Sequence, residues 1–205
     1  MRITEIKPSK LHLNLLSLSN GEEILIDKDV CAEHSLDVDL ELDCEELKEL
    51  KFQSDYVRAK SRALWYLDRM DYSEKALFDK LVLKGFDKKA SSAVIAKFVD
   101  LGLLDDRRYA ERLCEKLLNS GNSKRAASQK MRQKGLSYDL CKEILEETAA
   151  DEGDTLSRLI ERKYLEKLSD KENYHKVYAA LVRRGFSYSD VRNALKKYTE
   201  DFSED

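Results

Sequence analysis

The feature that most constrains the fold of this chain is an internal repeat of 50 residues that occurs three times. The segments Lys84-Gly85-Phe86, Lys134-Gly135-Leu136 and Arg184-Gly185-Phe186 align without a gap. Apolar residues keep the same register: Leu81, Met131 and Leu181 before the glycine, and Ile95, Leu145 and Leu195 after it. Such a repeat predicts an array in which each unit is one small supersecondary structure.

Two arginines recur at the same places in every repeat. Four residues apart on a helix, they lie on one face, and their planar guanidinium groups fit phosphate or carboxylate oxygens bidentately. The alternative is that each arginine pairs with a nearby acid and only keeps its helix in solution. The pairs are Arg58 and Arg62, Arg108 and Arg112, and Arg158 and Arg162.

Further basic residues lie on the second helices predicted for repeats two and three, and together with the arginine pairs they predict one basic face. The basic residue before each repeated glycine also has a structural interpretation, because a glycine ends a helix and a cation favours the helix's negative end. The additional basic residues are Lys124, Arg125, Lys130, Arg132, Lys134, Arg183 and Arg184.

The charge is unevenly distributed along the chain. Residues 1–50 hold 5 basic and 13 acidic residues, whereas residues 51–198 hold 32 basic and 23 acidic residues. The last seven residues add four acids and no base. A basic body between acidic ends suits a polyanionic partner better than the net charge of −3 suggests.

Near the N-terminus, alternating apolar residues predict strands. Leu11 to Leu15 and Ile24 to Ile26 flank Ser19-Asn20-Gly21, a strong hairpin signal, and Arg2 to Ile6 could add a third strand. Asp43 to Lys51 reads as a short acidic helix that Asp43 caps. From Tyr56 onward the apolar spacing becomes helical. The helices predicted there are 56–69, 73–84, 88–101, 106–119, 123–134, 138–148, 154–166, 171–184 and 188–199.

We therefore predict a mainly α fold, in which tandem three-helix repeats form a curved, elongated array behind a small N-terminal β-containing module. The predicted divisions are 1–52 for the acidic module, 53–104, 105–150 and 151–199 for the three repeats, and 200–205 for an acidic tail. The first residues do not show the apolar run and small-residue cleavage site of a signal peptide, and no apolar stretch in the sequence is long enough to span a membrane. We therefore expect a cytoplasmic protein without membrane contact.

Nothing in the sequence predicts catalysis. Walker, G-x-S-x-G and glycine-rich nucleotide motifs are missing, and the chain has only seven glycines. Its four cysteines form no C-x-x-C pair and its three histidines are scattered, so we expect reduced thiols, no metal and no cofactor. The prediction is a non-enzymatic binding protein.

The segment Gly102-Leu103-Leu104-Asp105-Asp106-Arg107-Arg108-Tyr109-Ala110 resembles the signature of the bacterial RecX family, regulators of the RecA recombinase. Tyr72-Ser73-Glu74 with Leu77, Leu81 and Lys84-Gly85-Phe86 matches the preceding family segment, and Lys134-Gly135-Leu136 matches the next. The resemblance covers about residues 56–199.

The resemblance implies a regulator that lodges in the groove of the RecA filament on DNA and lowers filament growth, strand exchange and ATP hydrolysis. All thirteen basic residues named above would then contact RecA, DNA or both, and single- or double-stranded DNA would bind weakly to the isolated chain, which we expect to be a monomer. Two alternatives stay open: a helical repeat protein that binds DNA directly, and a helical scaffold for an acidic protein partner. No catalytic residues are transferred from the family.

Overall fold

A computed structural model describes residues 1–149 and 151–198 of the chain. The predicted acidic tail, 200–205, lies outside the described residues. Contacts within the chain divide it into two compact units, Met1–Leu104 and the part from Asp105 onward. Within the described residues, no helix is both long and apolar enough to cross a membrane.

The first unit begins with a three-stranded antiparallel sheet, formed by β1 (Ile3–Pro8), β2 (Leu13–Leu18) and β3 (Glu23–Asp27) in that order. The predicted hairpin is confirmed, because β2 and β3 pair antiparallel, and Gly21 in the turn between them has a φ of +83°. The predicted strand over Leu11 to Leu15 starts too early. Leu11 and His12 have φ values of 58° and 62°, because the chain must reverse there to pair β1 with β2.

After β3 come two helices, α1 (Lys28–Glu33) and α2 (Cys44–Leu67). Asp43 caps α2 as predicted: its side chain accepts from the N–H groups of Glu45 and Glu46, and the Glu46 carboxylate accepts from the N–H of Asp43. The prediction of two separate helices, 43–51 and 56–69, is wrong. No glycine or proline interrupts residues 44–67, and the buried positions continue in helical register, so one helix serves both the sheet and the first repeat.

The two ends of α2 contribute to different cores. Leu47 and Leu50 pack with sheet residues such as Leu16 and Ile26, whereas Ala59 and Ala63 pack against the first repeat. That repeat is completed by α3 (Glu74–Leu83) and α4 (Lys88–Asp100). Its fully buried residues include Leu77, Leu81, Val94 and Phe98. The predicted boundary between residues 52 and 53 falls inside α2.

The second unit holds two further three-helix repeats. The first consists of α5 (Asp106–Asn119), α6 (Lys124–Gln133) and α7 (Tyr138–Glu147). The second consists of α8 (Glu152–Lys163), a short α9 (Leu165–Leu168), α10 (Tyr174–Arg183) and α11 (Tyr188–Lys196). The helix predicted over 171–184 is shorter, because the Asp170 side chain caps a 3₁₀ turn, Lys171–Asn173, before α10 begins.

The structural role predicted for the Lys/Arg-Gly pairs is confirmed. Lys84, Lys134 and Arg184 are the C-terminal caps of α3, α6 and α10. The following glycines have φ values of 90°, 92° and 94°, a conformation in which a side chain would be strained.

Candidate functional site

The three arginine pairs lie on the first helix of each repeat, as predicted: α2, α5 and α8. Arg62, Arg108, Arg112, Arg158 and Arg162 are exposed, whereas Arg58 is half-buried. The neighbouring helix positions Ala59, Ala63, Ala110, Cys114, Leu159 and Ile160 are buried in the repeat cores. The core therefore fixes the side of each helix that carries the arginines.

In the first repeat, the arginine pair lies beside a cleft of about 400 Å³. Arg58 Nη1 donates to Asp55 Oδ1 at 3.2 Å, and its guanidinium lies 5.5 Å from the centre of the Phe86 ring. Arg62 lies 5.4 Å from the ring of Trp65, which is 45% exposed. Arg58 is thus held locally, while Arg62 has its charge at the surface.

Arg107, which was not among the predicted binding residues, forms a network of ion pairs. Arg107 donates to Glu143 at 2.6 Å and to Glu147 at 2.8 Å, which joins α5 to α7. Its side chain also lies 3.3 Å from Glu111. These hydrogen bonds raise the pKa of Arg107 above its ordinary value. Of two adjacent arginines, Arg107 is therefore occupied by carboxylates of its own repeat, and Arg108 belongs to the repeated pair.

The structure divides the basic residues of α6 between two sides of the helix. Arg125 and Arg132 are seven residues apart and lie within about 20° around the helix axis, whereas Lys130 lies about 140° from Arg125. Arg132 lies 5.6 Å from the ring of Tyr138. Lys124 is half-buried and its Nζ donates to the carbonyl of Thr148 at 3.2 Å.

Lys130 faces a cavity within the second unit that sequence reasoning did not find. The cavity has a volume of about 480 Å³, and Lys130, Lys163, Arg183 and Arg184 all line it. Lys163 does not recur in the repeat pattern, and its approach to the other three depends on how the second and third repeats pack together. A second cavity of about 570 Å³ is lined by Arg158 and Arg162.

One group of side chains has ligand atoms close enough to hold a metal ion. The candidate atoms of His12, Asp27 and Asp29 all lie within 4.8 Å of one another. They already serve the local fold: the Asp27 side chain caps α1, and His12 Nε2 lies 3.1 Å from Asp29 Oδ1. The group is therefore explained by a hydrogen bond and a helix cap.

The described cysteines are free thiols, and three of them are buried. Burial raises the pKa of Cys31, Cys114 and Cys141, and so favours the neutral thiol over the nucleophilic thiolate. Buried neutral thiols suit packing rather than nucleophilic catalysis.

Comparison with known protein families identifies the repeats. The RecX first three-helix domain matches residues 59–98, the second matches 105–145 and the third matches 150–195. The three domains follow one another in the order that the structure gives for the repeats. The chain belongs to the RecX family.

Relatives named regulatory protein RecX align along nearly the whole chain. The protein of Clostridium tetani is 29% identical over 204 residues, which cover 96% of this chain and 94% of the relative. That of Streptococcus pneumoniae serotype 19F is 30% identical over 197 residues, covering 95% of this chain and 76% of the relative. The alignments include the N-terminal sheet module as well as the repeats.

Solved structures support the fold. A crystal structure of regulatory protein RecX superposes with a TM-score of 0.60 at 21% identity, covering 93% of this chain and 97% of that chain. RecX from Lactobacillus salivarius superposes with a TM-score of 0.58 at 22% identity, covering 70% and 96%. The predicted helical repeat fold with a small N-terminal β module is therefore confirmed.

Proposed function

We propose that this chain binds the RecA recombinase filament on DNA and lowers filament growth, strand exchange and ATP hydrolysis by RecA. It would act without catalysis of its own, in the cytoplasm, in the control of DNA repair, recombination and the SOS response. The observation that carries the proposal is membership of the RecX family through all three of its three-helix domains. The relatives' name, regulatory protein, agrees with a non-enzymatic role.

The repeated arginines supply a contact surface for such a partner. Five of the six are exposed, and they recur on the first helix of each repeat. A filament on DNA offers carboxylates and phosphates at regular intervals, and arginine binds either group through paired hydrogen bonds. Recurrence of the pair in each repeat allows several weak contacts to act together.

The test is RecA ATPase activity on single-stranded DNA, measured as this protein is added. We expect inhibition at protein concentrations too low to coat free DNA. In the variant with Arg108→Ala and Arg112→Ala, about ten times more protein should be needed for the same inhibition. A tenfold weakening corresponds to a loss of about 1.4 kcal/mol of binding free energy.

Adjacent arginines provide the matched control. The single variants Arg108→Ala and Arg107→Ala are measured beside the double variant, because each removes one positive charge from the start of α5, where Glu143 and Glu147 of α7 hold the Arg107 side chain. We expect Arg107→Ala to retain inhibition at temperatures where circular dichroism shows it folded. Equal inhibition by the wild type and the double variant would remove Arg108 and Arg112 from the binding surface.

The same assay separates the two alternative functions. A direct DNA-binding protein would inhibit only where it covers the DNA, and its affinity would fall steeply with salt whether or not RecA is present. A scaffold for an acidic protein would bind an oligonucleotide poorly and would leave the ATPase unchanged. Either result would contradict action on the filament.

A further inference from the structure

The cavity beside Lys130 gathers positive charge from separate elements of the second unit. Lys130 comes from α6, Lys163 ends α8, Arg183 ends α10, and Arg184 is the cap residue that follows. No carboxylate is present among the described residues that line the cavity. The chain as a whole has more acids than bases, with 40 against 37, so a lining of this kind departs from its average surface.

The neighbours of these cations do not neutralise them. Lys130 Nζ donates to Asn122 Oδ1 at 2.5 Å, and Arg184 Nη1 donates to the carbonyl of Ser120 at 2.6 Å. Both acceptors are uncharged. Across residues 1–149 and 151–198, none of the four cations takes part in an ion pair.

The dipoles of the helices account for only part of this clustering of positive charge. The negative ends of α8 and α10 favour Lys163 and Arg183 individually. They do not offset the mutual repulsion of four positive charges around one cavity, which an anion would relieve. One wall of the cavity is buried and hydrogen-bonded, because Asn122 is only 4% exposed and its Nδ2 donates to the Leu117 carbonyl at 2.8 Å.

We propose that this cavity binds phosphoryl groups. Arg183 provides a planar guanidinium for paired hydrogen bonds to phosphate oxygens, and Lys163 and Lys130 supply point charges. A volume of about 480 Å³ is large enough for a diphosphate. The phosphoryl groups come either from a nucleic-acid backbone or from a free nucleotide, and both sources present the same oxygens.

The two sources are distinguished by direct binding to the full chain without RecA. Inorganic pyrophosphate and a labelled single-stranded oligonucleotide are titrated separately, in buffer free of phosphate, sulfate and magnesium. Binding of pyrophosphate would identify a site for free phosphates, whereas binding of the oligonucleotide alone would identify a backbone site. The oligonucleotide titration rests on the proposed function. The two proposals nevertheless fail separately: the cavity can bind its ligand in a protein that does not inhibit RecA, and RecA can be inhibited by a protein whose cavity binds neither ligand.

The deciding variant combines Lys163→Ala with Arg183→Ala. Arg184 is kept because it holds the turn at Ser120. The matched control combines Lys167→Ala with Arg192→Ala, which removes two exposed cations of the same repeat that do not line the cavity.

We expect the deciding variant to bind its ligand at least tenfold more weakly, and the control variant less than twofold more weakly. With the oligonucleotide, the salt slope of the deciding variant should fall by about 1.4, since each lost contact to a single strand removes about 0.7. Thermal melting establishes that both variants are folded. Failure of the wild type to bind either ligand, or equal weakening by the control, would overturn the proposal.

Discussion

At the scale of single residues, the glycine that follows each of α3, α6 and α10 ends its helix in the left-handed region, where a side chain is strained. This conformation is set by the local backbone and recurs with the repeat. The partners of a basic residue depend instead on packing between distant segments. Arg107 of α5, for example, is engaged by Glu143 and Glu147 of α7, which lie 36 and 40 residues further along the chain.

Gly85 and Gly185 occupy the same place in their repeats but have different surroundings. Both have positive φ, so Gly85→Ala should cost about 1–2 kcal/mol of stability. A Cβ at Gly85 would have open space around it, whereas at Gly185 it would lie 2.6 Å from Ala126 Cβ and closer still to Ser123 Oγ. We expect Gly185→Ala to cost about 1–3 kcal/mol more than Gly85→Ala.

Thermal and urea unfolding of the two alanine variants, followed by circular dichroism, measures this difference. Since the backbone penalty is common to both, the comparison isolates the close approach of Gly185 to α6. Equal losses in the two variants would contradict a tight contact between the second and third repeats at this point.

At the scale of elements, α2 is the main departure from the prediction. The sequence analysis separated an acidic helix, 43–51, from the first repeat helix because it recognised helical apolar spacing only from Tyr56 onward. A helix continues where its buried side continues and no breaker intervenes. Leu50 and Ser54 are both buried, one turn apart, and carry the helix across the predicted boundary.

Ser54 links α2 to the sheet through a buried hydrogen bond. Its Oγ accepts from the backbone N–H of Asp27, the last residue of β3, at 2.8 Å. Ser54→Ala would leave that N–H unpaired in a buried place, so we expect a loss of about 1–3 kcal/mol. Ser61→Ala, at an exposed position of the same helix, should be neutral or slightly stabilising because alanine favours helix.

Urea unfolding monitored by circular dichroism compares the two serine variants. Hydrogen exchange at Asp27 gives a local readout, since the N–H that loses its acceptor should exchange faster in Ser54→Ala alone. Unchanged exchange at Asp27 together with unchanged stability would show that this hydrogen bond does not join the helix to the sheet.

At the scale of the whole molecule, the 50-residue repeat predicted the fold because basic residues and buried apolar residues recur at the same positions of each repeat. Each repeat has its own cluster of buried residues, as does the sheet module. The predicted curvature of the array stays a prediction, as does the single basic face. The cation-lined cavity could not be predicted, because Lys130, Lys163 and Arg183 are far apart in the sequence and come to one cavity only in the folded second unit.

The uneven charge of the chain gives a prediction that does not depend on local contacts. Glu41, Glu45 and Glu49 are exposed acids of the N-terminal module. Changing all three to glutamine brings the formal net charge from −3 to zero and should raise the affinity for single-stranded DNA a few-fold at low salt. The gain should vanish near physiological ionic strength, because the Debye length falls from about 30 Å at 0.01 M to about 8 Å at 0.15 M.

Fluorescence anisotropy with a labelled oligonucleotide at both salt concentrations measures the effect. The control changes the same three glutamates to aspartate, which keeps the charge and should leave the affinity unchanged at either concentration. Because screening acts on long-range fields far more than on direct contacts, a gain that persists undiminished at 0.15 M would mean that these glutamates lie against the bound DNA. A gain confined to low salt would assign the acidic module a purely electrostatic influence on DNA binding.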